Sequence, residues 1–214
     1  MQFRLAGQLS AEEYVSQRFW EQASLESCPL HPEGGCGLSR HTAYERVEPA
    51  GTLIARWRCP LARVTFSLLP DCLASRVKGR LRDIESAADA AERREGSLEA
   101  LAASLRPPAE DDPDDDHVDS TLKWLRRRRR WVSAALTVAL GLLPDQLAGR
   151  APTLADFRAA LGVEHVLEAL RPLLEARLAQ LPPPLGFGPR STPRKDAACR
   201  LQQEVGPDPP ASLS

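Results

Sequence analysis

Lysine, aromatic residues and long apolar runs are all scarce in this chain of 214 residues, and each scarcity excludes something. Of the 28 basic residues only Lys78, Lys123 and Lys195 are lysine, so positive charge here means arginine. Arginine, alanine, leucine and proline together suggest a GC-rich coding sequence, which discounts part of that excess. Aromatics make up only 5%. The most apolar run, Trp131 to Leu143, is 13 residues, short of the roughly 20 a membrane-spanning helix needs, and reads as a buried helix. The start of the chain lacks the basic flank and apolar run of a signal peptide, so the five cysteines are expected in a reducing cytosol. Reduced thiols favour metal over disulfides.

A net charge of −1 hides sharp blocks of opposite sign. Seven acids lie between Glu110 and Asp119, and Lys123 with Arg126 to Arg130 adds six bases directly afterwards. The distribution of charge therefore says more than its sum.

What is abundant is concentrated between Cys28 and Pro70, where three cysteines and two histidines accompany a hairpin pattern. Cys28, His31, Cys36 and Cys59 offer three thiolates and an imidazole, the ligand set of a closed tetrahedral zinc site, with His41 as a rival ligand. One structural Zn²⁺ per chain would replace a hydrophobic core that so short a module can hardly build. His41 to Val47 and Thr52 to Arg58 are predicted strands around a Glu48-Pro49-Ala50-Gly51 turn, and Val64 to Phe66 a third. Cys72 and Cys199 fall outside this layout.

Elsewhere the pattern is helical. Ser10 and Glu13 form a capping-box signature for a helix running to about Ala23, with Tyr14, Val15, Phe19 and Trp20 on its buried side. From Asp71 to Arg106 the apolar spacing is helical, with a break at Gly96 and Ser97 as a new cap. Val118, Leu122, Leu125, Val132, Leu136, Leu140 and Leu143 define one face of a long helix that Pro144 ends, with Arg129 in the same seam. Leu154 to Leu161 and Val163 to Leu181 follow, the latter kinked or split at Pro172. The expected architecture is mainly α with a small β zinc-ribbon-like module: an N-terminal helix (1–27), the ribbon (28–70), a helical body (71–181) with a helix-turn-helix-like part (97–143), and a disordered Pro-rich tail (182–214).

Arg56-Trp57-Arg58-Cys59 followed by Thr65-Phe66-Ser67-Leu68-Leu69-Pro70 resembles the zinc ribbon near the N-terminus of insertion-sequence transposases and their bacterial relatives. There a basic-aromatic strand leads into a Cys-x-x-Cys knuckle and a Thr-Phe strand, before a helix-turn-helix. The resemblance implies that Cys28 belongs to the first knuckle and Cys59 opens the second, although Ala62 stands where a second thiol would complete it. It also implies DNA as partner, with a homodimer or a transposase as a further partner.

In a helix-turn-helix reading, 97–105 supports and 118–131 enters the major groove. Ser120, Thr121, Lys123, Arg126, Arg127 and Arg130 would then face bases or phosphates, aided by Arg56 and Arg58 on the ribbon. Two features oppose it: the link from Arg106 to Asp119 is long and acidic, and five consecutive arginines advance about 100° each, so they cannot form one stripe. The competing account is a solvated helix start with Asp111 to Asp116 as counter-ions, in a helical protein-interaction or dimerisation module without nucleic-acid binding. No enzyme is expected. There is no nucleotide-binding glycine loop, no His-Glu-x-x-His, no Ser/His/Asp set, and no run of strands after residue 70 to assemble a carboxylate triad. Neither a small-molecule substrate nor a membrane is expected as partner.

Overall fold

The computed structural model describes residues 1–7, 9–94, 96–105 and 117–188. Among these, seven helices accompany a four-stranded mixed sheet: β1 (Gln2–Leu5), α1 (Ala11–Ser16), β2 (Ser39–Arg46), β3 (Thr52–Cys59), β4 (Val64–Pro70), α2 (Leu81–Arg93), α3 (Leu98–Leu105), α4 (His117–Leu142), α5 (Pro144–Leu147), α6 (Leu154–Leu161) and α7 (Val166–Leu173). This is a mixed α/β fold, with more strand than the expected small ribbon.

The sheet order is β1-β4-β3-β2. The hairpin strands form where β-branched and aromatic residues predict them, with a register shift between His41 and Tyr44. β4 runs on to Pro70, longer than the three residues expected. β1 has no counterpart in the sequence reading, because four residues show no diagnostic period. It forms by parallel pairing with β4, from Gln2 opposite Ser67 to Leu5 opposite Pro70. The terminal ammonium of Met1 donates to the Thr65 carbonyl at 2.7 Å, which anchors its start.

The capping box at α1 is present: Glu13 N–H donates to Ser10 Oγ at 3.1 Å, and Ser10 N–H to Glu13 Oε2 at 2.8 Å. The helix nevertheless stops at Ser16 instead of near Ala23. Arg18 adopts a left-handed conformation, φ 48°, which no helix continues through, and a 3-10 turn Phe19–Glu21 follows. Tyr14 and Trp20 still pack against the sheet, beside Ala55 and Leu68.

Residues 71–80 are not helical. Their carbonyls are claimed from outside: Arg171 donates to Pro70 and Asp71, and Arg46 to Ala74 and Val77, so a helical ladder would have to give them up. α2 therefore begins only at Leu81. α4 matches the long apolar face, with Leu122, Leu125, Val132 and Leu136 buried. α7 ends at Leu173 and a 3-10 turn Glu175–Arg177 follows, the interruption expected from Pro172.

One main cluster joins α2, α4, α5, α6 and α7. Leu181 and Leu185 belong to it, so 182–188 is a packed strap and not part of a disordered tail. The strap is held at its carbonyls: Arg171, fully buried, donates to Leu185 at 3.1 Å and Pro184 at 3.3 Å, and Ser75 donates to Gly186. The rest of the expected tail, including Cys199, lies outside the described residues, as does the acidic link 106–116.

Candidate metal centre and basic grooves

Cys28 and His31 meet in a tight turn in which His31 N–H donates to the Cys28 carbonyl at 3.0 Å. Gly34 and Gly35 follow with φ of 86° and 77°, conformations that disfavour side chains, and these carry the chain around so that Cys36 returns beside Cys28. The fourth residue, Cys59, arrives from the end of β3. The single ligand atoms offered by Cys28, His31, Cys36 and Cys59 all lie within 4.8 Å of one another and can hold one metal ion.

The distances fit the chemistry. His31 Nδ1 stands 3.4 Å from the Cys28 sulfur and 3.5 Å from the Cys59 sulfur. In a tetrahedron with metal–sulfur bonds of about 2.3 Å and metal–nitrogen bonds near 2.0 Å, a nitrogen–sulfur edge measures about 3.5 Å. All three cysteines are buried, within a cluster completed by Phe66. Burial alone would raise the Cys28 thiol, but hydrogen bonds from His31, the Leu30 backbone and the other two cysteines outweigh it and bring it down to about 7. Burial, reinforced by Cys28, pushes Cys36 the other way. One thiolate is thus favoured near neutrality, as a first ligand should be.

Three ligands come from the 28–36 turn and one from the end of β3. The Ala62 N–H donates to the Cys59 sulfur at 3.4 Å. The rival ligand His41 is not part of the cluster. It sits inside β2 opposite Arg56, and its Nδ1 lies by the Thr42 carbonyl at 3.5 Å.

The residues proposed to contact DNA separate. Thr121 is buried with Leu122 and Leu125 and is withdrawn from the surface, because α3 packs on that side of α4. Ser120 is exposed, and Lys123 pairs with Asp119. Arg126 pairs with Glu99 of α3 at 2.9 Å. Arg127, Arg129 and Arg130 are exposed and make no ion pair among the described residues. On the sheet, Arg58 is exposed, while Arg56 is half-buried with its guanidinium 5.9 Å from the Tyr44 ring centre.

The five arginines spread over two grooves flanking α4. On one side Arg126, Arg129 and Arg130 join Arg94 and Glu99 around a cleft of about 650 Å³. On the other, Arg127, Arg128 and Arg130 face the β2–β3 hairpin across a groove of about 1090 Å³. The 100° advance that forbids one stripe produces two. The second groove also contains Trp124, Trp131 and Lys78, which the sequence reading did not single out. The available signal was the four-residue spacing of Trp124 and Arg128, which stacks the guanidinium 3.6 Å above the indole centre.

No helix among the described residues is long and apolar enough to cross a membrane. Comparison with protein-family models, with curated proteins and with solved structures finds no match for this chain.

Proposed function

We propose that this chain is a non-catalytic DNA-binding protein whose β module is stapled by one structural Zn²⁺ at Cys28, His31, Cys36 and Cys59. Its affinity comes from the arginine-rich first half of α4. The carrying observation is that Arg127, Arg129 and Arg130 stand exposed on one helix and make no ion pair among the described residues, flanked by two basic grooves. Unpaired arginines on a rigid element are poised to neutralise phosphate, with release of the counterions condensed on DNA. The ribbon's resemblance to the front end of insertion-sequence transposases supports an accessory or truncated relative of that type. A closed Cys₃His shell suits a structural zinc, because no ligand position remains for substrate.

The competing reading, a helical module that pairs through its apolar seams, has less to work with. Leu122, Leu125, Val132 and Leu136 of α4 and Val166, Leu167 and Leu170 of α7 are buried within the chain itself.

The deciding experiment is titration of a labelled DNA duplex with the full chain at several salt concentrations. Binding through three arginines gives a log–log slope near −2.7, at about −0.9 per neutralised phosphate. Alanine at Arg127, Arg129 and Arg130 together flattens it. Absence of duplex binding at low salt sinks the proposal.

A further inference from the structure

The groove between α4 and the β2–β3 hairpin carries chemistry that a double helix cannot use. Six tryptophans and tyrosines occur in the whole sequence, and three of them, Tyr44, Trp124 and Trp131, line this one groove. Trp124 is 38% exposed on a helix that has apolar packing available on its other side. One face of this indole carries the Arg128 guanidinium, 3.6 Å from the ring centre, and the residue still lines the groove.

The charge in the groove has the same direction. Arg46 is engaged by the carbonyls of Ala74 and Val77, and Arg76 by that of Phe187. Lys78, Arg127, Arg128 and Arg130 remain against Glu45 and Glu48. The Arg128 side chain stacks on Trp124, and its Nε is buried without a hydrogen-bond partner. A groove of about 1090 Å³ exceeds the roughly 300–1,000 Å³ of a typical small-ligand pocket, and it is open, so it suits a chain better than a metabolite.

Positive grooves with aromatic platforms are how proteins hold unpaired nucleic acid, since every exposed base has a π-face, whereas in a duplex those faces are stacked against one another. We infer that this groove binds an unpaired stretch of nucleic acid, with bases stacked on Trp131 and on the Trp124–Arg128 pair and phosphates neutralised by Arg127 and Arg130. The inference rests on the nucleic-acid reading above and sharpens it from duplex affinity to single-strand capture. The cleft around Arg94, Arg126 and Arg129 has no aromatic lining among the described residues and would serve phosphate alone.

The test uses the full, zinc-loaded chain with a labelled oligothymidine, a blunt duplex of the same length, and polyglutamate as an anionic competitor. Oligothymidine should bind more tightly than the duplex and quench tryptophan fluorescence. Trp124→Ala should weaken oligothymidine binding roughly ten- to a hundredfold, while changing duplex binding less than about twofold, and Trp124→Phe should retain most of it. Because Trp124 is exposed, its variants should fold, and an unchanged melting curve verifies this. Equal loss of duplex and single-strand binding in Trp124→Ala overturns the inference, as does duplex binding with no response to either variant. In both cases the DNA reading survives. Failure of both nucleic acids to bind removes the two together, and displacement by polyglutamate at equal charge shows a non-selective polyanion surface and overturns the groove assignment.

Discussion

His31 Nδ1 lies 3.5 Å from the sulfur of Cys59, a residue 28 positions further along the chain, at the far end of β3. That contact links the 28–36 turn to the sheet, and a metal ion there would tie the same two parts together. Metal analysis of the purified chain should give one zinc, lost in Cys28→Ser and Cys59→Ser and retained in His41→Ala. Free zinc at a thousand times its dissociation constant should stabilise the fold by about 4 kcal/mol, visible as a chelator-sensitive melting temperature. Zinc-free parent protein would refute the site.

Arg171 is expected to be the most sensitive arginine in the chain. It is fully buried and donates to the carbonyls of Pro70, Asp71, Pro184 and Leu185, so one side chain ties the end of β4 to the strap. Arg171→Ala orphans several buried acceptors at about 1–3 kcal/mol each and should destabilise by at least about 3 kcal/mol in denaturant titration. Arg171→Lys should recover only part, since one ammonium cannot span the fork.

Glu85 caps α7 from a different helix. Its carboxylate, buried on α2, accepts the N–H groups of Val166 and Leu167 at 3.1 and 2.9 Å and pairs with Arg158 at 3.0 Å. Glu85→Ala should cost about 2–4 kcal/mol, because two helix-start donors lose their acceptor inside the core. Glu85→Gln keeps an acceptor and should cost less.

Gly186 has no room for a side chain. A Cβ there would lie 2.6 Å from the Leu181 carbonyl carbon, a backbone atom that cannot swing aside. Gly186→Ala should therefore expel the strap and destabilise by more than about 2 kcal/mol. Truncation after Leu181 should have a similar effect, whereas truncation after Gly188 keeps the strap's contacts.

Stability should decline in alkali through Cys72. Burial pushes its thiol up from 9.0 to about 12, so the folded chain keeps a proton that the unfolded chain releases. That contribution is whole below about pH 9 and disappears as pH rises towards 12, since the unfolded state then binds fewer protons. Tyr14, raised by burial as well, adds to the same trend at higher pH. Cys72→Ala should flatten the decline measured by melting temperature between pH 9 and 11. An unchanged slope would contradict the assignment.

How much of this was legible in the chain depends on the range of the interactions involved. The capping box at Ser10, the hairpin strands, α3, α4 and α6 all rest on short spacings or strong periodicity, and all appear in the structure. Residues 71–80 and 182–188 depart from the local reading because apolar spacing and proline content are local, whereas the first segment is held by Arg46 and Arg171 and the second by Arg171 and Ser75, all distant in sequence from what they hold. β1 was missed for a related reason: its partner strand lies some 65 residues away.

By itself the sequence determined the residue types that can bind metal, the helical period of α4 and the concentration of arginine on it. Only the tertiary structure decided that His31 joins the thiols while His41 does not, that Thr121 is buried, and that the arginines divide between two grooves. Those outcomes depend on which surfaces pack together, and packing is settled by shape and burial across the whole chain, not by spacing within a segment.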